Sequence, residues 1–127
     1  MAELSEFSPA NVGEIVDRIV SEMKDVSSKW WTQNSGLMSG YVRTLAEATL
    51  QTRAALAEKR ISPAQADMIL HNQELAFNQT LKFSKYMTFA LAQKLLDTVF
   101  KVVGWVIYNV TGVNLAPNLV QPKAAAG

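Results

Sequence analysis

The chain has 127 residues, 49% of them hydrophobic and 18% charged, and its twelve Lys and Arg against eleven Asp and Glu leave a formal charge of +1. This composition is globular and excludes wholesale disorder, and with no run of three basic residues it lacks the clustered face that nucleic acid requires. The absence of cysteine excludes disulfides, thiolate metal sites and thiol nucleophiles together.

The opening MAELSEFSPA carries two glutamates and no basic region ahead of an apolar stretch. No signal peptide is expected, so cytoplasmic synthesis is the default and the final location stays open. Residues 1–8 read as a short arm. FSPANVGEIV from Phe7 then carries helix-start chemistry: a Ser able to cap the first turn, followed by a Pro whose missing N–H costs nothing there. From Pro9 the apolar positions Val12, Val16, Ile19, Met23, Val26 and Trp30 step by four and three, the spacing of a coiled-coil seam. They predict a helix over 9–32 whose stripe packs within the same chain.

WWTQNSGLMSGYV interrupts this pattern with Asn34, Ser35, Gly36, Ser39 and Gly40, which predicts a break, or at least a bend, at 33–40. YVRTLAEATLQTRAALAEKR follows, rich in Ala, Leu, Glu and Arg, and predicts a helix over 38–60 with Lys59 and Arg60 suiting its C-terminus. ISPAQADMIL repeats the helix-start chemistry, with Ser62 and Gln65 spaced for a capping box. Between Pro63 and Thr111 there is no further Pro and the only Gly is Gly104, so one helix over 63–111 is expected, about 70 Å long.

Two heptad series share that segment. Phe77, Leu81, Ser84, Thr88, Leu91 and Leu95 form one, and Tyr86, Phe89, Gln93, Leu96, Phe100, Val103, Ile107 and Val110 the other. A hairpin cannot cover both, so the second is expected to meet another copy, a lipid phase or a different protein. Lys94, Asp97 and Lys101 fall on one narrow face between them. The stretch VFKVVGWVIYNVTGVNL invites a membrane-span reading, but its continuous apolar core runs only from Val102 to Tyr108, well short of the ~20 residues a span needs. A buried bundle helix is the favoured reading, ahead of an oligomeric or interfacial membrane helix. NLAPNLVQPKAAAG, with two prolines, predicts an extended tail over 113–127.

Little here carries chemistry. His71 has Asp67 and Glu74 at helical spacing, an arrangement more typical of a solvated polar face than of a metal site. There is no phosphate loop, nucleophile elbow or charge-relay set, so neither catalysis, cofactor, metal nor small-molecule substrate is expected. Asn72, Gln73, Asn78 and Gln79 read as exposed amides, and Asn78-Gln79-Thr80 and Asn109-Val110-Thr111 as chance matches to the glycan-acceptor pattern. Of the tryptophans, Trp30 completes the first seam, Trp31 covers the bend, and Trp105 beside Lys101 and Tyr108 is the interfacial candidate.

The sequence thus predicts an all-α fold: an elongated helical hairpin or three-helix unit in a single domain, 9–112. Its expected role is that of a non-enzymatic structural protein that self-assembles into a ring, tube or bundle, by analogy a component of a virion or a secretion or injection apparatus. The interface residues expected are Tyr86, Phe89, Leu96, Phe100, Val103, Trp105, Ile107 and Val110. The alternative is a membrane-associated protein, whether pore former, holin-like element or surface coat, with lipid contact through 86–113.

Overall fold

The computed structural model describes residues 3–115, which form a 3-10 turn at Leu4–Glu6 and four α-helices: α1 (Val12–Val26), α2 (Ser28–Ala57), α3 (Pro63–Lys82) and α4 (Phe89–Thr111). The all-α expectation holds, with helices packed on helices, but several boundaries move.

The first moves from 33–40 back to Ser27. This one extended residue ends α1, and its Oγ accepts from the Trp30 amide at 3.2 Å to cap α2. Asn34, Gly36 and Gly40 are then interior to a 30-residue α2. The helix carries them because Met38 and Val42 beside them are fully buried in the core. Thr32, Ser39, Thr44, Thr49 and Thr52 each donate to the carbonyl four residues earlier, which satisfies their hydroxyl groups within the helix.

The second correction concerns the single helix over 63–111, which is two helices. Lys82 ends α3, residues 83–88 form a loop without Pro or Gly, and Thr88 caps α4 by accepting from the Leu91 amide at 3.1 Å. The start of α3 matches expectation: Ser62 and Gln65 bond reciprocally at 2.8 and 3.1 Å as a capping box. The start of α1 does not. Asn11, rather than Ser8, is its cap, accepting from the Glu14 amide while Glu14 accepts from Ala10. Likewise α2 ends at Ala57, leaving Lys59 and Arg60 in the turn beyond it.

Contacts at three levels fix the direction of each helix. At one end the Trp30 indole donates to Ser84 at 3.2 Å. In the middle Phe77 of α3 meets Tyr41 of α2 and Phe100 of α4, at ring separations of 5.3 and 5.8 Å. At the other end the Asn109 amide donates to the carbonyls of Leu4 and Phe7 at 2.8 and 2.9 Å, binding the N-terminal arm to α4. Neighbours in sequence therefore run antiparallel, giving an up-down-up-down bundle. α2 and α4 pack on each other and each packs on α1 and α3, whereas α1 and α3 do not touch. α4 is the helix with the widest apolar arc because it has the most neighbours.

The core runs the length of the bundle. Ile15, Ile19 and Met23 of α1 and Met38, Val42 and Ala46 of α2 are fully buried, as are Leu70, Phe77 and Leu81 of α3 and Leu95, Val99 and Phe100 of α4. Of the first seam, Ile19, Met23 and Trp30 are buried, and Val12, Val16 and Val26 are half-buried against the core. The deepest face of α1 is centred on Ile15, Ile19 and Met23, one residue round from the expected stripe. Only residues 113–115 of the expected tail are described. They are not helical, and the rest lies outside the described residues.

Candidate functional site

The second seam, expected to be a free face, is divided by the fold. Its centre is a correction: Phe100, Val103 and Ile107 are 0% exposed within the chain itself, on a helix that packs against the three others, and so do not form an outward interface. Leu96 and Trp105 are half-buried, Trp105 resting edge-on against Tyr108 at 5.5 Å. Val110 is half-exposed near the far end. Tyr86 and Phe89 stand fully clear at the near end.

That near end has a distinctive surface. Phe83, Tyr86 and Phe89 are 82, 76 and 87% exposed, three large aromatic side chains within the loop and the first residue of α4. Lys82 and Lys85 are interleaved with them and also exposed. Such exposure is uncommon for aromatic residues, whose burial is the largest single gain a side chain can offer the core.

The loop carrying these rings is firmly built. Asn34, 4% exposed on α2, accepts from the Lys85 amide at 2.8 Å and donates to the Lys85 carbonyl at 3.2 Å and to the Trp30 carbonyl at 3.0 Å. Ser84 is buried, donating to the Leu81 carbonyl at 2.6 Å while its hydroxyl oxygen accepts from the Trp30 indole at 3.2 Å. Met87 packs partly into the core. Tyr86 has φ +60°, in the left-handed region that a bulky residue rarely adopts and that costs roughly 1–2 kcal/mol. The loop therefore holds its aromatic side chains outward on an anchored frame.

The same bonds bring a second lysine-bearing segment alongside. Trp30 and Asn34 sit in the first two turns of α2, so the corner at Ser27, with Lys24 at the end of α1 and Lys29 at the start of α2, lies at this end. Both lysines are exposed. In segments 24–29 and 82–89 four lysines face one acid, Asp25, whereas the whole chain carries only +1. The end is basic and the remainder is net acidic.

Comparison with known proteins finds no match: no protein family fits the chain, and neither a curated protein nor a solved structure aligns with it.

Elsewhere the polar groups are structural or dispersed. No group of three His, Asp or Glu among the described residues is placed to hold a metal ion. His71 and Asn72 are exposed on α3. Glu74, half-buried, has its pKa raised, first by burial and then by the nearby charges of Asp97 and Asp67, with His71 opposing. Asp97 accepts from Gln93 at 3.0 Å, while Lys94 and Lys101 lie exposed beside it. The Arg53 pKa is lowered by burial, and its Nη1 is buried without a hydrogen bond. Arg18, 8% exposed, pairs with Glu22 at 2.9 Å and lies 5.3 Å over the Phe7 ring, tying the arm to α1. No helix among the described residues is long and apolar enough to cross a membrane.

Sequence reasoning reached Tyr86 and Phe89 for a different reason and missed Phe83, Lys85 and their support. The available signal was Thr88 ahead of FALAQKLL, an N-cap residue before an apolar helix. The role of Asn34 had no local signal, since its partner lies 51 residues away.

Proposed function

We propose that this is a non-enzymatic structural protein whose working surface is the loop end of the bundle, by which it attaches to a larger body. The observation that supports this reading is the trio Phe83, Tyr86 and Phe89, exposed by 76 to 87% on a loop pinned through Asn34 and Ser84. An exposed aromatic cluster on an anchored frame is expensive to keep in water and is best accounted for by something that covers it. The polar side chains with the best-defined partners, Asn34, Ser84, Asn109 and Arg18, serve the fold, which fits a protein that attaches rather than transforms a substrate. Self-assembly remains compatible with this reading, with the contact moved from the middle of α4 to the loop end.

Hydrophobic-interaction chromatography tests it without knowledge of the partner. The native chain should be retained clearly longer than the variant Phe83→Ser/Tyr86→Ser/Phe89→Ser, with unchanged helicity by circular dichroism. Equal retention of the two would overturn the reading, because the rings would then not be accessible.

A further inference from the structure

We infer that the body covering this end is an anionic lipid surface, which the protein meets end-on through Phe83, Tyr86 and Phe89, with Lys24, Lys29, Lys82 and Lys85 at the same end of the bundle. The inference rests on the reading that the loop end is the working surface.

Two features favour lipid over other partners. The first is shape. Side chains lining a groove for a peptide or for stacked bases are shielded by its walls, whereas rings exposed by 76 to 87% project from the surface. Projecting rings suit a soft phase that closes around them, and the aromatic side chain favours the boundary between headgroups and hydrocarbon. The second is the kind of charge. All four cations at this end are lysines and none is arginine. Arginine is the residue of choice where phosphates or bases are read by paired hydrogen bonds, while lysine lays its long stem along apolar surface and keeps its ammonium among anionic headgroups. Lys82 and Lys85 immediately precede Phe83 and Tyr86 and are exposed with them, so cations and rings share this end. The only opposing charge in these segments is Asp25.

The geometry gives a binding mode distinct from an amphipathic helix lying flat. Phe89 is the first residue of α4 and Phe83 follows the last residue of α3, so insertion involves the tip alone and leaves both helices and the core intact. Binding is therefore expected to be reversible and sensitive to salt.

The test is co-flotation of the full chain with vesicles of phosphatidylcholine, alone or mixed with phosphatidylglycerol. The chain should float with the anionic vesicles, weakly or not at all with the neutral ones, and should be released by added salt. Lys82→Gln/Lys85→Gln, which keeps every ring, should lower the partition coefficient roughly 25-fold, at about fivefold per lysine. Phe83→Ser/Tyr86→Ser/Phe89→Ser should remain at the bottom, while Met68→Ser/Leu75→Ser, which removes two exposed apolar side chains of α3, should float as the native chain does. A native chain that stays at the bottom with both vesicles overturns the inference, as does a tip variant that floats unchanged. If flotation fails, retention of the native chain on a single-stranded oligonucleotide resin would assign the tip to nucleic acid instead. A mass by light scattering that is a multiple of the monomer and is lost in the triple variant would assign it to a second copy. Loss of flotation with chromatographic retention intact rejects lipid but keeps the loop end as the docking surface.

Discussion

Asn34 pairs with Lys85 as one strand residue pairs with another, its side-chain amide accepting from the Lys85 N–H at 2.8 Å and donating to the Lys85 C=O at 3.2 Å. A single buried side chain of α2 thus supplies both hydrogen bonds that a helix would otherwise have given residue 85, which lets α3 stop and α4 begin without Pro or Gly. Asn34→Leu should cost about 1–3 kcal/mol, the penalty of leaving those groups unpaired. Urea unfolding reads that cost, and amide exchange at Lys85 should accelerate well beyond the change in global stability. Unaltered protection at Lys85 would show that the pairing does not hold the loop.

Among the described residues, Tyr86 and Lys59 are the two non-glycine residues with positive φ, at +60° and +58°. Lys59 closes α2, its amide bonding to the Leu56 carbonyl at 3.1 Å, so its backbone conformation serves helix termination. Glycine should relieve roughly 1 kcal/mol at either position. Lys59→Gly should raise thermal stability and leave vesicle binding unchanged. Tyr86→Gly should raise stability by a similar amount and weaken binding, the pattern of a residue kept for function at a cost in stability. Equal binding by both variants would remove Tyr86 from the docking surface.

Glu74 sets a pH dependence. Its pKa is raised in the folded chain by burial and by Asp97 and Asp67, so the folded state binds its proton more tightly than the unfolded chain does. The stabilisation associated with this proton is complete below the unfolded value near 4.5 and is lost as pH rises through the folded value above it. Glu74→Gln, permanently uncharged, should raise the melting temperature at neutral pH and should not lose stability through that window as the native chain does. Identical pH profiles for the two proteins would contradict this account.

The middle of α4 should behave as core. Phe100→Ala is expected to cost about 3–5 kcal/mol, as for a fully buried phenylalanine. Phe100→Asp should unfold the bundle, as should Ile19→Asp, because each buries a charge with no partner. A folded but dissociated Phe100→Asp would restore this face as an interface between subunits.

How far the sequence could be read depended on whether the deciding contact was local. Ser62, Pro63 and Gln65 form their capping box within four residues, and the start of α3 could be read from them. Val12 to Met23 carry a periodicity that marks one face of α1, correct to within a residue. The two misplaced breaks fall where punctuation by Gly and Pro is a poor guide. Gly36 and Gly40 sit exposed in the interior of α2, carried by the packing of Met38 and Val42, while Ser27 and Thr88 start helices through their hydroxyl groups alone. The surplus apolar arc on α4 was real, but it pointed to a third neighbouring helix within the chain. With residues 83–88 read as helix, α3 could not fold back to bring Phe77 against Phe100. The aromatic trio was hidden for the same reason, since a ring in a continuous helix and a ring on a loop look alike in sequence.

The loop end exposes its three aromatic rings, whereas the middle of α4 is closed. Because the chain contains no cysteine, single thiols report on this directly. Labelling of Tyr86→Cys and Val103→Cys by a maleimide in native buffer, followed by mass spectrometry, compares the two places in the same fold. Tyr86→Cys should react as fast as it does in denaturant, and Val103→Cys should stay protected until the bundle unfolds. Native-state labelling of Val103→Cys at the rate of Tyr86→Cys, or protection of both, would contradict the account.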